Sequence, residues 1–232
     1  VLSGAGMSAE SGIRTFRDNN GLWEDHEVMD VASPEGWARD RGLVNRFYNA
    51  RRAQLDEVEP NAGHGALADL ESHFDVRIIT QNVDDLHERA GSTQVLHLHG
   101  ELRKVRSTAN PALVYPWKGD LTDDDRCAEG ALMRPHIVWF GESVPALEEA
   151  VGLIAEASVV LVVGTSMQVY PAASLVGYAP RDAAVFYVDP APQLNHELAR
   201  LPQLRVIEDT AARALPKLKA DLLEQGKAPN HF

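Results

Sequence analysis

Cysteine is almost absent: among 232 residues only Cys127 carries a thiol. A lone cysteine excludes an internal disulfide and any metal site built from several thiolates of this chain, and a reducing, cytoplasmic setting is the expectation. Basic charge is also scarce. The 22 Lys and Arg are outnumbered by 34 Asp and Glu, for a formal net charge of −12. With no tight basic cluster to offset it, neutralising a phosphate backbone is not expected, so nucleic acid is excluded as a partner. No apolar run has membrane length and no charged-then-apolar leader opens the chain, so no membrane partner is expected either. Internal repeats and low-complexity tracts are missing too. The opening Val1-Leu2-Ser3-Gly4 reads as a strand already under way, and further residues are expected upstream of it.

What the chain does contain is a rhythm of short aliphatic, β-branched runs, at 76–80, 95–98, 137–140, 159–163, 184–188 and 204–207. Helical patterns lie between or after them, at 65–72, 147–157, 194–200 and 215–223. Continuous apolar strands alternating with helices predict an α/β fold, a doubly wound parallel sheet covered on both faces, with ligands at the carboxyl ends of its strands. Two stretches break the rhythm. Residues 23–58 are helical without strands, and residues 101–133 are irregular, with Pro111, Pro116, Gly119 and an acidic run at 120–125. Both are read as insertions forming a small second domain, which leaves 1–22, 59–100 and 134–232 as a discontinuous main domain.

The first loop, Gly4-Ala5-Gly6-Met7-Ser8-Ala9, has the form G-x-G-x-x-A after a strand-like start. Such a loop lets backbone N–H groups approach a pyrophosphate; a plain glycine-rich turn is the alternative. The acidic residue that ends the second strand of ordinary dehydrogenases is missing, because Glu24 and Asp25 fall in a polar loop. Ser11, Gly12, Ile13, Phe16 and Arg17 extend the loop with residues suited to covering a ligand. Later strand ends carry Gln81, Asn82 and Asp84, able to hold a carboxamide and sugar hydroxyls, then Gly164-Thr165-Ser166, then Asp189. Each alone could be a polar turn. Together they favour a dinucleotide.

In Val95-Leu96-His97-Leu98-His99-Gly100, alternation puts both histidines on one strand face. A structural pair, a pair of metal ligands lacking a third, and a general base all remain open. His64, His87, His136 and His196 are read as structural or solvent-facing. Val44, Phe47, Tyr48, Arg51, Leu55 and Val58 form the stripe of an amphipathic helix. An arginine there needs a partner: Tyr48 and Arg51 share one face and could grip a carboxylate, or Arg51 could reach water or Glu57.

In the order in which they occur, the 4–17 loop, Thr80-Gln81-Asn82-Val83-Asp84, His97-Leu98-His99-Gly100 and Gly164-Thr165-Ser166 closely resemble the sirtuin family of NAD-dependent protein lysine deacylases. The resemblance implies a Rossmann-like large domain, with a small domain formed by two insertions. It implies NAD held by Gly4, Ala5, Gly6, Ser11, Gly12, Gln81, Gly164, Thr165 and Ser166, with Ala191 and Ala211 toward the adenosine end. Ile13, Asn82 and Asp84 would face the nicotinamide, and Phe16 and Arg17 would lie on a mobile cofactor loop. His99 matches the family's catalytic base and His97 matches no catalytic position. The implied chemistry needs no protein nucleophile: the acyl oxygen of the modified lysine displaces nicotinamide, then His99 takes a ribose proton, and acyl-ADP-ribose leaves. Val138, Phe140 and Gly141 match a segment that pairs with acylated-lysine peptides as an added strand. Tyr48 and Arg51 resemble the Tyr-x-x-Arg of the desuccinylase subgroup, which implies succinyl and malonyl substrates with acetyl also accepted.

One departure stands out. The family's small domain usually holds zinc on four cysteines, whereas here Cys127 is alone and Ser107 occupies the place of a first ligand. Zinc is therefore doubtful, no metal ligand is assigned, and the small domain is expected to be held by packing around Val114, Tyr115 and Trp117. Other readings of the same residues are ADP-ribose transfer to protein, a non-catalytic NAD-sensing module, and, more distantly, a metal hydrolase using His97 and His99.

Overall fold

A computed structural model describes residues 1–14, 22–23 and 26–225. In chain order the strands are β1 (Leu2–Ser3), β2 (Leu22–Trp23), β3 (His26–Glu27), β4 (Ile78–Thr80), β5 (Val95–His97), β6 (Gly100–Ser107), β7 (Val114–Pro116), β8 (Met133–Ile137), β9 (Val159–Val163), β10 (Ala184–Val188) and β11 (Leu204–Ile207). The α-helices are α1 (Val28–Val31), α2 (Pro34–Arg39), α3 (Arg41–Gln54), α4 (Ala62–Leu70), α5 (Leu86–Arg89), α6 (Leu147–Ala155) and α7 (Ala211–Gln225).

Six strands form one parallel sheet in the order β11-β10-β9-β1-β4-β5. The chain starts in the middle, winds out through β4 to β5, and returns to lay β9 against the other side of β1. The boundary between β1 and β9 is therefore the topological switch point, where a doubly wound sheet opens a crevice at its strand tips. Alternation along the central strands divides the core in two. Leu161, Val163, Phe186 and Val188 pack with Leu67 and Leu70 of α4 and Leu215, Leu218 and Leu222 of α7. Val160, Val162, Val185 and Tyr187 pack on the opposite face with Ala150 and Ile154 of α6. These strands read as unbroken apolar runs because both faces are covered.

Four expectations need correction. The run at 137–140 is no strand of the main sheet: β8 ends at Ile137 in a small antiparallel sheet, order β7-β6-β8, and Trp139 turns into a core beneath α3. The stretch 101–133 is less irregular than its prolines suggest, because an eight-residue β6 is anchored by Leu102 in the core beneath α3 and by Val105 in a separate small core. At 194–200 there is a single 3-10 turn, Leu198–Arg200, in which only Leu198 is buried. The 23–58 stretch also holds β3, paired antiparallel with β2.

Helix boundaries follow from capping. Ser33 accepts from the Gly36 N–H with Pro34 at the first helical position, and Asp40 accepts from Leu43 N–H to start α3. The expected stripe on α3 is cut short, since the helix stops at Gln54 and leaves Leu55 as its cap. Arg52, fully buried on α3, donates to the Leu102 carbonyl at 2.7 Å, the Gly119 carbonyl at 3.2 Å and Asn49 Oδ1 at 2.8 Å. This ties α3 to the small antiparallel sheet, and burial lowers the arginine pKa to about 10.

Helix α4 starts in a reciprocal cap: the Asn61 side chain accepts from Gly63 N–H while His64 Nδ1 accepts from Asn61 N–H at 3.2 Å. An accepting Nδ1 cannot carry a proton, and burial lowers the His64 pKa to about 4. Between pH 6.5 and about 4 the unfolded chain binds a proton at this position that the folded chain refuses. Stability is thus fully present above pH 6.5 and falls as pH drops, by about 1.4 kcal/mol per pH unit. Urea midpoints measured from pH 7 to 4.5 should fall more steeply for the parent than for His64→Asn; equal slopes would contradict this account.

Candidate active site

The first loop and the loop after β9 meet backbone to backbone. Gly4 N–H donates to the Val163 carbonyl at 3.0 Å, and Gly6 N–H to the Gly164 carbonyl at 2.8 Å. A Cβ at Gly6 would sit 2.7 Å from Gly164 Cα, and Gly164 itself has φ +59. The glycines are thus required first by loop crossing, which brings the two loops together over the β1/β9 boundary. Ala5 and Ser11 are half-buried along this floor, and Gly12 (φ +100) turns the chain away toward Ile13. Phe16 and Arg17 lie outside the described residues.

At the tip of β4, Asn82 and Asp84 are buried and joined through Ser8. Asn82 Nδ2 donates to Ser8 Oγ at 3.1 Å, and Ser8 Oγ donates to Asp84 Oδ2 at 3.0 Å. Asp84 Oδ1 also accepts from Leu86 N–H at 3.2 Å; burial nevertheless raises its pKa above the usual carboxylate value. Gln81 Nε2 donates to Thr165 Oγ1 at 3.0 Å, which couples the β4 tip to the β9 tip. Ser166 follows, half-buried. At the end of β10 the buried Asp189 carboxylate accepts from Ala191 N–H at 2.9 Å. Ala211 opens α7, buried against Gly63, and Glu10 caps that helix through Ala212 N–H at 3.0 Å.

The two histidines take different states. His99 Nδ1 faces the Gln81 carbonyl at 3.0 Å, and a carbonyl only accepts, so Nδ1 holds the proton. The Nε2 lone pair is left as the acceptor, and no partner for it occurs among the described residues. Burial outweighs the carbonyl contact and lowers the His99 pKa, keeping the ring neutral. His97 directs Nδ1 to the Asn82 carbonyl at 3.0 Å and Nε2 to Glu88 at 2.7 Å, so both nitrogens donate. Burial opposes its charge, but the Glu88 contact prevails and the pKa rises. A doubly donating imidazolium clamps the β4 tip and has no lone pair for base chemistry.

Val138 N–H donates to the His99 carbonyl at 2.9 Å, and Phe140 N–H to the Ala32 carbonyl at 3.0 Å. Phe140 is exposed, and Gly141 turns with φ +89. On α3, Tyr48 and Arg51 are both buried, and Tyr48 Oη accepts from Trp139 Nε1 at 3.0 Å. Arg51 also lines a cavity of about 300 Å³ with His26, Arg46 and Phe47. Hydrogen bonds therefore connect Gln81 with Thr165, His99 and Val138, and separately connect Asn82 with Asp84 through Ser8. Asp189, Ala191 and Ala211 stand apart on later tips. Sequence reasoning placed Ser8 in the first loop and Trp139 in the substrate-pairing segment without an individual role for either, and assigned nothing to Asn61. Asn61 Nδ2 donates to both the Met7 carbonyl and Ser11 Oγ, at 2.9 and 3.0 Å, and so holds the first loop.

These features define an α/β protein with a dinucleotide cleft at the switch point of its sheet: glycine loops in backbone contact, a buried amide–carboxylate pair and a neutral imidazole at one edge. The model of the Sir2 family matches residues 4–171. An NAD-dependent protein deacylase of Helicobacter pylori (strain ATCC 700392 / 26695) is 54% identical over 97% of this chain and 96% of its own length. One of Bacteroides thetaiotaomicron is 49% identical over 96% and 97% of the two chains. A solved Sir2 homologue in complex with NAD is 36% identical, with a TM-score of 0.86 over 97% of this chain and 89% of its own. This chain belongs to the Sir2 family.

The residues present do not fit the four-cysteine zinc of relatives. Ser107 and Cys127 are both buried, and the neighbouring Ser107 hydroxyl holds the Cys127 thiol below its ordinary pKa. Ser107 Oγ accepts from the N–H groups of Ala109 and Asn110 at 3.2 and 3.1 Å. Among the described residues no three His, Cys, Asp or Glu group to hold a metal. Leu121, Cys127, Met133 and Val105 form the local core with Leu113, Tyr115 and Trp117 around it. Val114 is not part of this core, because alternation along β7 sends Leu113 and Tyr115 inward instead. Protein washed with chelator should keep its thermal midpoint unchanged and contain no stoichiometric zinc by elemental analysis; one zinc per chain would overturn this.

Proposed function

We propose that this chain is an NAD-dependent deacylase acting on lysine side chains of proteins, with preference for acidic acyl groups such as succinyl and malonyl and acceptance of acetyl. The observation that carries the reading is His99, a neutral imidazole whose Nδ1 proton is committed to the Gln81 carbonyl, which leaves Nε2 to receive a proton. NAD, when bound, supplies an anomeric carbon that loses nicotinamide and takes up the acyl oxygen.

Gly4, Ala5, Gly6, Ser11, Gly12, Gly164, Thr165, Ser166 and Asp189 would hold the dinucleotide along the strand tips, with Ala191 and Ala211 toward its adenosine end. Ile13, Asn82 and Asp84 would orient the carboxamide, and the Ser8 bridge keeps amide and carboxylate in fixed relation. Positioning of this kind supplies much of the rate when the leaving group needs no protein nucleophile. His99 Nε2 would accept the proton of a ribose hydroxyl of the bound dinucleotide. Val138, Phe140 and Gly141 would pair with the substrate backbone. Arg51 and Tyr48 on one face of α3 would bind the acid end of the acyl chain, since a guanidinium fork beside a phenol suits a carboxylate.

In this reading 1–22, 59–100 and 134–232 form the cofactor-binding unit, and 23–58 with 101–133 the smaller one. The separate cores beneath α3 and around Cys127 support that division. The net charge supports a protein rather than a nucleic-acid substrate, and the lone thiol supports a cytoplasmic setting. Among the described residues no helix is long and apolar enough to cross a membrane.

Mass spectrometry of acetyl-, malonyl- and succinyl-lysine peptides with and without NAD tests the reading. Loss of acyl groups should require NAD and fall about 10²- to 10⁴-fold in His99→Ala. Arg51→Ala should lower the succinyl-to-acetyl ratio of kcat/KM by about 1.5–3 kcal/mol of lost charge-assisted bonding; an unchanged ratio removes the acidic-acyl preference. Because His99 titrates below the ordinary value of 6.5, kcat/KM should hold down to that pH and decline only under more acidic conditions. An acidic limb centred above pH 6.5 would assign the base to another group.

A further inference from the structure

The phenol assigned to the acid end of the acyl chain is held by a residue outside the Tyr48–Arg51 pair. Trp139, buried at 2% exposure, points its indole Nε1 at Tyr48 Oη, 3.0 Å away. An indole nitrogen can only donate, so at this contact the phenol oxygen accepts. The phenol's own hydrogen is thereby directed away from Trp139. Its other functional direction is that of a donor, which is what an acceptor-only carboxylate needs.

The indole is itself fixed from several sides. The Arg134 guanidinium lies over its ring at 3.3 Å from the centroid. Glu142 grips that guanidinium at 2.7 and 3.0 Å, and the Ile137 carbonyl takes a third bond at 3.0 Å. Glu142 Oε2 also accepts the backbone N–H of Trp139 at 2.8 Å. Trp37 of α2 packs against the ring at 5.7 Å between centroids. A cation stacked on the indole face adds attraction that is strong in a desolvated site, so the N–H is aimed by a rigid support and not by a mobile surface side chain. Ordinary core packing would use the ring alone; it would not need the nitrogen to meet a phenol.

We infer that Trp139 is a specificity-positioning residue, whose indole N–H orients the Tyr48 hydroxyl as a hydrogen-bond donor to the carboxylate of acidic acyl-lysine substrates. The inference rests on the proposed reading of Tyr48 and Arg51. It adds a third residue, contributed by the segment after β8, so the helix that senses the acyl chain and the loop that meets the substrate backbone are coupled by one bond.

The test uses the whole enzyme with NAD and succinyl- and acetyl-lysine peptides, comparing parent, Trp139→Phe, Tyr48→Phe, the double variant and Arg51→Ala. Trp139→Phe keeps an aromatic ring and removes the N–H. Expected is a rise in KM for the succinyl peptide of about five- to tenfold, the scale of one hydrogen bond, with kcat little changed. The succinyl-to-acetyl ratio of kcat/KM should fall with it. Adding Trp139→Phe to Tyr48→Phe should lower the ratio no further, because both changes delete the same contact. A ratio unaltered in Trp139→Phe but lowered in Tyr48→Phe and Arg51→Ala would overturn the inference and leave the acidic-acyl reading in place. Ratios unaltered in all variants would remove that reading, and the inference with it. Equal losses on both peptides in Trp139→Phe would reduce Trp139 to packing and also overturn it. If Trp139→Phe does not fold, benzothienylalanine at 139 keeps the bicyclic shape without the N–H, and the same shift in ratio is expected.

Discussion

The contact between the loop after β1 and the loop after β9 is the constraint on which the site depends. Gly6 and Gly164 approach so closely that either side chain would collide with the other backbone. Because of this, the tips of two neighbouring parallel strands share one floor at the point where the sheet reverses its winding. Gln81 extends that floor to β4 through Thr165, and the Gln81 carbonyl then sets the tautomer of His99. A steric requirement at two glycines is thus relayed by hydrogen bonds to the protonation state of an imidazole on the far side of β4.

Polar groups buried at the site are arranged in pairs that answer one another. Asn82 and Asp84 meet through Ser8, and the consecutive carbonyls of Gln81 and Asn82 are taken by His99 and His97. The two rings differ in charge because only one has a carboxylate at its second nitrogen. Two histidines two residues apart, His97 at the end of β5 and His99 in the bend just beyond it, therefore yield one fixed clamp and one candidate base.

Much of this was legible in the residues themselves. Strands β9 and β10 stand out as apolar runs, since burial on both faces leaves no polar position to interrupt them, whereas the edge strand β11 carries an exposed Arg205. The motifs at 4–12, 80–84, 97–100 and 164–166 are local in sequence and fall together at the tips. Val138-Trp139-Phe140 misled because an apolar run does not say which core receives it; here Trp139 belongs to the cluster under α3, and Phe140 faces solvent. Ser8, Asn61 and Trp139 escaped notice because their importance comes from partners 74, 54 and 91 residues away. Periodicity cannot report such pairings. Of the residues expected around the small-domain core, Tyr115 and Trp117 pack against it, while Leu113 takes the place expected of Val114.

The burial of Cys127 carries a consequence for how this molecule withstands its surroundings. Where relatives gather thiolates around an ion, peroxide or electrophiles can strip the cluster and loosen the module with it. Here the one sulfur sits in an apolar core with Leu121, Met133 and Val105. The small lobe thus presents almost no thiol surface to an oxidant.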